Sequence, residues 1–254
     1  MNCLAVYTLW KRELRHFYRD RARIIGALAP PIVFWFLIGS GLGKSFQMPG
    51  AAGGAGFLQY FFSGTLVLIV LFTSVFSTIS IIEDRREGFL QSVLVAPIPR
   101  LSLVLGKIMG ASTVGFLQGL CFLILAPAAG LRAAPGDYAV TLAALALCSL
   151  GLTGIGFCIA WKLDSTQGFH AVMNLFLIPM WMLSGALFPA ATAPAWLRLI
   201  IRLNPVSYAV CALQQALSPG AFRPMASLKL CLLVLVLFAA AVCAASCWIA
   251  REAE

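Results

Sequence analysis

Residues 57–82 read FLQYFFSGTLVLIVLFTSVFSTISII, and no charged side chain interrupts this stretch. A helix needs about 20 apolar residues to cross the hydrocarbon core of a bilayer, so the stretch is long enough to cross it and to tilt. Its apolar run is continuous rather than alternating, which favours a helix over a strand of a membrane barrel. The stretch therefore predicts a transmembrane helix.

Five further stretches have the same character. Hydrophobic residues make up 61% of the 254 residues and charged residues only 11%, whereas soluble domains are about 45–50% apolar. The predicted fold class is an all-α integral membrane protein, formed by a single domain over residues 1–254. Its six transmembrane helices are assigned to residues 24–42, 57–82, 101–126, 138–161, 169–189 and 228–250.

The basic residues predict the orientation of the chain. The formal net charge is +9, but most Lys and Arg residues adjoin apolar stretches, where they act as topology signals and as contacts to anionic lipid. Nucleic acid is therefore not expected as a partner. The distribution places both termini in the cytoplasm and the chain in the inner membrane as a multi-pass protein. Lys107, near the inner end of the third span, is expected to extend to the interface.

Residues 1–23 are predicted to form an amphipathic helix that lies on the cytoplasmic face of the bilayer. Apolar and aromatic residues recur at helical spacing, while basic residues take the other face. A basic topology signal with no further role is the alternative. The residues expected to hold this helix at the interface are Trp10, Lys11, Arg12, Arg15, Phe17 and Arg19.

Residues 83–100, EDRREGFLQSVLVAPIPR, follow the second span and have an unusual order. Five charges come first, Gly88 interrupts, an apolar stripe follows, and Pro97 and Pro99 end any helix. This pattern indicates a short amphipathic helix suited to docking in a partner's groove, and a solvated turn between spans is the alternative. The candidate docking residues are Glu83, Asp84, Arg85, Arg86, Glu87, Gly88, Phe89, Leu90, Val93 and Leu94.

Residues 190–227 form a long external connection before the last span. They hold too many apolar residues for a solvated loop, and four prolines divide them into pieces shorter than a span. Short helices that dip into the outer leaflet, or lie on it, fit this pattern.

Residues that could carry out catalysis are not found. GSGLGKS at residues 39–45 resembles a phosphate-binding loop, but Ile38 stands where the first glycine belongs, so the chain is not expected to hydrolyse ATP. The eight cysteines fall mostly in apolar stretches and indicate packing rather than a metal site. No catalytic residue, metal site or bound cofactor is predicted for this chain.

A substrate-binding site is likewise not assigned. Aromatic side chains of the spans are candidates for lining a transport path, but such residues more often pack in the core or face lipid. The candidates are Phe61, Phe62, Phe72, Phe76, Phe116, Phe176 and Trp181.

Two motifs carry a resemblance to a known family. The first comprises Arg86-Glu87-Gly88, Leu94, Ala96-Pro97, Pro99-Arg100 and Gly106-Lys107, and the second is LNPVSYA at residues 203–209, with Asn204, Pro205 and Tyr208. Together with the order of the predicted elements, they make the chain similar to the permease subunits of type-2 ABC exporters.

The resemblance implies an assembly of two permeases, expected to be a homodimer, with two copies of a cytoplasmic ABC ATPase that binds ATP and Mg. Residues 83–94 would be the coupling helix in the ATPase cleft, and the N-terminal helix would brace against the same subunit. The cargo moved outward would be a lipid-linked glycan, a lipid or a hydrophobic drug. The alternatives are a membrane-embedded lipid-modifying enzyme, which would rely on Glu83, Asp84 and Glu87, and a structural membrane protein.

Overall fold

The computed structural model describes residues 2–19, 21–42, 56–95, 99–131 and 133–252. Within these ranges the chain is helical and contains no strand, so the prediction of an all-α membrane protein is confirmed. The helices are α1 (Cys3–Arg19), α2 (Arg21–Leu42), α3 (Phe57–Ser77), α4 (Ser80–Arg86), α5 (Phe89–Val95), α6 (Arg100–Leu123), α7 (Pro135–Lys162), α8 (Thr166–Met182), α9 (Ala195–Leu203), α10 (Pro205–Leu217) and α11 (Leu228–Glu252).

The helix pair α3 and α4 forms the centre of the bundle. Together they run from Phe57 to Arg86, and 83% of the most apolar stretch of this span is buried, against 22% in the last span. Helices α2, α6, α7, α8 and α10 all pack against α3. Phe62 of α3 stacks on Phe122 of α6 with ring centroids 4.6 Å apart, and both side chains are fully buried. The uncharged stretch around residues 57–82 is therefore the core, and α11 lies at the periphery.

Four helices of the described chain are long and apolar enough to cross a bilayer, namely Phe57–Arg86, Arg100–Leu123, Pro135–Lys162 and Leu228–Arg251. The number rises to as many as six when two bent helix pairs, α1 with α2 and α9 with α10, each count as one span. The fifth predicted span, residues 169–189, corresponds to α8, which has only 17 residues. A turn through Gly185, whose φ is +78°, follows it, so that stretch is not one continuous helix.

The bundle has two ends with different chemistry. One end, which we call the terminal end, holds α1, α4, α5 and the end of α11. The distal end holds α9 and α10, which meet at an angle of 88°. Residues 195–217 form two short helices with a sharp bend between them, and their position relative to the outer leaflet stays a prediction. Helix α10 is largely buried, because it packs against α7, α11 and α3.

Candidate functional site

Helix α1 lies directly on α6 at two glycines of α6. A Cβ atom added to Gly106 would stand 2.7 Å from Leu9 Cβ, and one added to Gly110 would stand 2.6 Å from Glu13 Cβ. Only glycine permits so close an approach, as in other tightly packed membrane helix pairs. Trp10 Nε1 also donates a hydrogen bond to Thr113 Oγ1 at 3.1 Å. The contact carries Glu13, a charged residue, into the interior of the terminal end.

Lys107 meets two carboxylates in that interior. Its side chain is 3% exposed, and Nζ donates to Glu13 Oε1 at 2.5 Å, to Ser80 Oγ at 3.3 Å and to Asp84 Oδ2. Ser80 Oγ in turn donates to Glu13 Oε2 at 2.8 Å. The expectation that Lys107 extends to the interface is therefore wrong, because partners from α1 and α4 already satisfy its charge inside the protein.

Arg12 completes this group from the outer side. Its guanidinium donates two hydrogen bonds to the carboxylate of Asp84, at 2.9 and 2.6 Å, in the paired geometry that makes such contacts strong. The same guanidinium lies 3.8 Å from the ring centre of Phe89, the first residue of α5, a cation–π contact. The buried ion network, as we call Arg12, Glu13, Asp84 and Lys107, thus connects α1, α4, α5 and α6.

The apolar side of α5 faces the protein itself. Leu90 is buried in a cluster with Leu9 of α1 and Leu103 of α6, and Phe89, Val93 and Trp161 pack around it. Leu90 of this stripe is therefore covered by the chain's own helices, Phe89 and Val93 are half-buried, and the docking role of the stripe stays a prediction. Among the side chains of α5 that the structure describes, Gln91, Ser92 and Val95 are exposed.

Gly88 divides residues 83–94 into two helices rather than one. Its φ of +75° lies in the left-handed region that favours glycine, and it turns the chain between α4 and α5. Before this turn, Arg85 donates to the Asp164 carboxylate at 2.8 Å and to the Trp161 carbonyl at 2.6 Å. Arg86 donates to the Asp164 carbonyl at 3.1 Å. The position of α4 is therefore also fixed against the connection between α7 and α8.

The structure brings some of the predicted residues together and leaves others apart. Lys11, Arg15 and Arg19 are exposed on α1, Phe17 is half-buried, and within the described chain Glu83 forms no ion pair with the buried ion network. The charge of Glu87 acts on the Arg12 guanidinium without a direct ion pair. The Leu94 side chain, residues 96–98 and residues 43–45 of GSGLGKS lie outside the described residues. Glu13 was missed, although it is the only acidic residue among the many cations of α1, which is the signal that could have singled it out.

The second motif forms the corner between α9 and α10. Asn204 caps α10 by accepting a hydrogen bond from the Val206 N–H at 3.0 Å, and its amide nitrogen donates to the Met180 carbonyl at 2.5 Å. Pro205 occupies the first position of α10, where its missing N–H costs nothing. The Tyr208 hydroxyl donates to the Arg202 carbonyl at 2.9 Å. Asn204 thus ties the 88° corner to the end of α8, and Tyr208 ties α10 back to α9.

The candidate aromatic residues do not converge on one path. Phe61, Phe62 and Trp181 are buried, and the Trp181 indole donates to the Gly64 carbonyl at 2.7 Å. Phe116 is half-buried and Phe176 is 63% exposed. Phe72 and Phe76, in contrast, line a cavity of about 730 Å³, together with Phe34, Glu83 and His170. Among the described residues, no group of three His, Cys, Asp or Glu side chains could hold a metal ion.

Comparison with known proteins identifies the family. The family model described as "ABC-2 type transporter" matches residues 5–218, which include α1, the buried ion network and the α9–α10 corner. The chain belongs to this family. The ABC-2 family resemblance seen in the two motifs is therefore confirmed, and the chain has the role of a membrane transport permease.

Two of three similar curated proteins are named as permeases. The transport permease ycf38 of Cyanophora paradoxa is 27% identical over 208 residues, which are 81% of this chain and 71% of that protein. Nodulation protein J of Rhizobium leguminosarum bv. trifolii is 26% identical over 216 residues, 83% of this chain and 79% of that protein. The multidrug ABC transporter permease YbhR of Escherichia coli K12 is 25% identical over 132 residues, 52% of this chain and 36% of that protein.

Proposed function

We propose that this permease is the membrane-spanning subunit of an ATP-driven exporter in the inner membrane. ATP and Mg bind to a separate ABC ATPase, and two ATPase copies act on two permeases, which form a homodimer. The terminal end faces the cytoplasm in this proposal. Three observations support it: family membership, the name of the E. coli relative as an ABC transporter permease, and the exposed cations Lys11, Arg15 and Arg19 at the terminal end.

The observation that carries the proposal is the way α5 is attached. Leu90 is buried between Leu9 and Leu103, and the Arg12 guanidinium rests on the Phe89 ring. Because α5 shares these contacts with α1 and α6, a force applied to its outer face acts directly on both helices. Packed interiors resist compression and transmit displacement rather than absorb it. An ATPase that moves α5 would thereby move the spans.

The docking surface proposed for the ATPase is the exposed side of α5. Gln91 and Ser92 provide polar contacts, and Val95, which is 88% exposed, provides an apolar one. Glu87, also exposed, lies in the turn just before α5. We prefer this surface to the apolar stripe as the part that enters the ATPase cleft, because Leu90 of the stripe is buried against Leu9 and Leu103.

The proposed cargo is a lipid-linked glycan, a lipid or a hydrophobic drug. The E. coli relative is named as a multidrug ABC transporter permease, which supports an apolar cargo. The cavity beside Phe72 and Phe76 has about 730 Å³, and its lining includes four phenylalanine side chains, which suit an apolar ligand group.

The test of the proposal is ATP hydrolysis by the reconstituted complex. We expect the cognate ATPase to copurify with the permease, and the permease to stimulate its ATP hydrolysis. Gln91→Arg and Val95→Glu on the exposed side of α5 should lower the stimulated rate about tenfold or more, because charged groups that must be desolvated at an interface weaken it by several kcal/mol.

The matched control is Gln167→Arg, an exposed glutamine of α8 at the same end of the bundle. It should leave both copurification and the stimulated rate unchanged. The proposal fails if Gln91→Arg and Val95→Glu behave like Gln167→Arg, or if the purified permease alone hydrolyses ATP.

A further inference from the structure

A second cavity lies at the distal end, far from the buried ion network. It has a volume of about 620 Å³, within the usual range for ligand sites. Its walls come from the start of α3, the turn after α8, helices α9 and α10, and the connection that precedes α11. Arg198, Arg202 and Arg223 line it, and no Asp or Glu is among the lining residues that the structure describes.

The three arginines reach the cavity from two separate segments. Arg198 and Arg202 are four residues apart on α9 and so share one face of that helix. Arg223 lies in the connection after α10. Arg198 donates one hydrogen bond to the Ala193 carbonyl at 3.0 Å, yet within the described chain none of the three forms an ion pair with a carboxylate. Three cations brought together without an anion repel one another.

Ser207 adds an unpaired hydroxyl to the same cavity. It lines the wall, its residue is only 1% exposed, and its Oγ has no hydrogen-bond partner among the described residues. Buried polar groups in proteins are nearly always hydrogen-bonded. An unpaired hydroxyl donor in the wall of a cavity that three arginines also line therefore points to an oxygen of a bound anion.

Hydrogen bonds between residues around this cavity fix the position of its walls. The Tyr208 hydroxyl donates to the Arg202 carbonyl at 2.9 Å, which fixes the backbone that carries one of the arginines. The Tyr60 hydroxyl donates to the Gly185 carbonyl at 2.5 Å, and the Phe222 ring packs edge-on against Tyr60 at 5.2 Å. Groups that are already in place lose little freedom when a ligand binds.

We propose that this cavity is a binding site for a phosphate ester. Guanidinium groups bind phosphate oxygens through paired hydrogen bonds, and Ser207 would donate to a further oxygen. A phosphate group offers more acceptor oxygens than a carboxylate and suits three arginines plus a hydroxyl better. Two sources share this chemistry, the headgroup of an anionic phospholipid and the phosphate of a soluble molecule. The site goes beyond the proposed export function and requires no ATPase.

The experiment measures binding to the purified permease in a neutral detergent, without ATPase or ATP. Glycerol 3-phosphate serves as the soluble probe, dioctanoyl-phosphatidylglycerol as the lipid probe and dioctanoylglycerol as the phosphate-free lipid control. At least one phosphate probe should bind, with dioctanoylglycerol binding more weakly. Arg202→Gln and Arg223→Gln should each weaken that binding about tenfold or more.

Two further variants distinguish loss of a specific site from a general loss of positive charge or of stability as the cause of weaker binding. Lys229→Gln removes an exposed cation of the same end that does not line the cavity, and it should leave the affinity unchanged. Ser207→Ala should weaken binding, yet it should not lower the thermal midpoint of the ligand-free permease, because the hydroxyl makes no hydrogen bond to lose.

The outcomes decide both the site and its ligand. Binding of glycerol 3-phosphate alone supports the site and identifies a soluble phosphate, and binding of the lipid alone supports it and identifies a headgroup. The proposal is overturned if neither probe binds, if dioctanoylglycerol binds as well as the phospholipid, or if Lys229→Gln weakens binding as much as Arg202→Gln. Lost ATPase stimulation with intact phosphate binding would contradict the proposed function alone.

Discussion

Lys107 carries a positive charge into the packed terminal end of the permease, where Glu13 and Asp84 both contact its ammonium group. Removing such ions from water costs several kcal/mol each, and their mutual attraction offsets that cost only while every partner is present. Asp84 keeps a close second partner in Arg12, whereas Glu13 has Lys107, the Ser80 hydroxyl and a more distant Arg12 guanidinium at 3.6 Å. The network is therefore more sensitive to losing one member than to losing a complete pair.

Lys107→Met should destabilise the permease by about 3–5 kcal/mol, because it leaves Glu13 buried without its main cation. The double variant Glu13→Gln with Lys107→Met should lose less than the single variant, since it removes both charges together. Thermal unfolding of the detergent-purified proteins measures the difference. The exposed Lys162→Met is the matched control and should shift stability by no more than about 0.5 kcal/mol. Equal losses for Lys107→Met and Lys162→Met would contradict the buried network.

The sequence indicated the partners of Lys107 only incompletely. The motif Gly106-Lys107 marked the position, but one of the two carboxylates that meet the ammonium group, Glu13, is 94 positions away on α1. Helical spacing assigned α1 to an interface with lipid, since aromatic and basic residues dominate it. Spacing alone does not tell that Gly106 and Gly110 would bring Glu13 beneath the surface.

At the scale of the elements, α1 is attached to α6 through a stripe of small residues. The positions of Gly106 and Gly110, four residues apart, match the spacing by which membrane helices approach closely. That close approach is what places Leu9 against Leu90 and Leu103. The attachment of α5 therefore depends on the α1–α6 contact.

Gly106→Ala should destabilise the permease by about 1–3 kcal/mol, because the new Cβ would stand 2.7 Å from Leu9 Cβ and force the helices apart. Gly26→Ala is the matched control, since nothing lies within 4 Å of its Cβ position on α2. Both changes gain the same helical preference of alanine, so the difference between their thermal midpoints isolates the clash. A Gly106→Ala protein as stable as Gly26→Ala would refute the close contact.

The existence of a helix could be predicted where length and composition determine it. Its packing partners could not be predicted from the same features. The central span and the bent pair near residues 190–227 follow from an uncharged run and from four prolines. The stripe at Phe89 and Leu90 correctly indicated a helix with one apolar face. What covers that face depends on Leu9 and Leu103 from distant segments, and helical periodicity contains no information about such partners.

At the scale of the whole molecule, the two ends differ in whether their basic side chains are paired with carboxylates. The terminal end pairs its buried cations with carboxylates. The distal end gathers Arg198, Arg202 and Arg223 around a cavity without acidic lining residues. We relate the first arrangement to transmission between helices and the second to an anionic ligand.

The proposed orientation makes a labelling prediction. In a Cys121→Ala background, Ser227→Cys should react with a membrane-impermeant maleimide in intact cells, because Ser227 is exposed at the distal end. Cys3, exposed at the terminal end, should react only after the membrane is permeabilised. The labelled positions are identified by mass spectrometry. Reaction of Cys3 in intact cells would reverse the assigned orientation.

The distance in sequence between Glu13 and Lys107 also determines how long after Glu13 the ribosome makes its ion-pair partner. The two residues are 94 positions apart, and ribosomes add about 5–20 residues per second. Lys107 is therefore synthesised about 5–19 s after Glu13. During that interval α1 has no α6 on which to dock, and its basic residues must keep it near the headgroups of the membrane. The terminal end therefore assembles late, after the third apolar segment has left the ribosome and entered the bilayer.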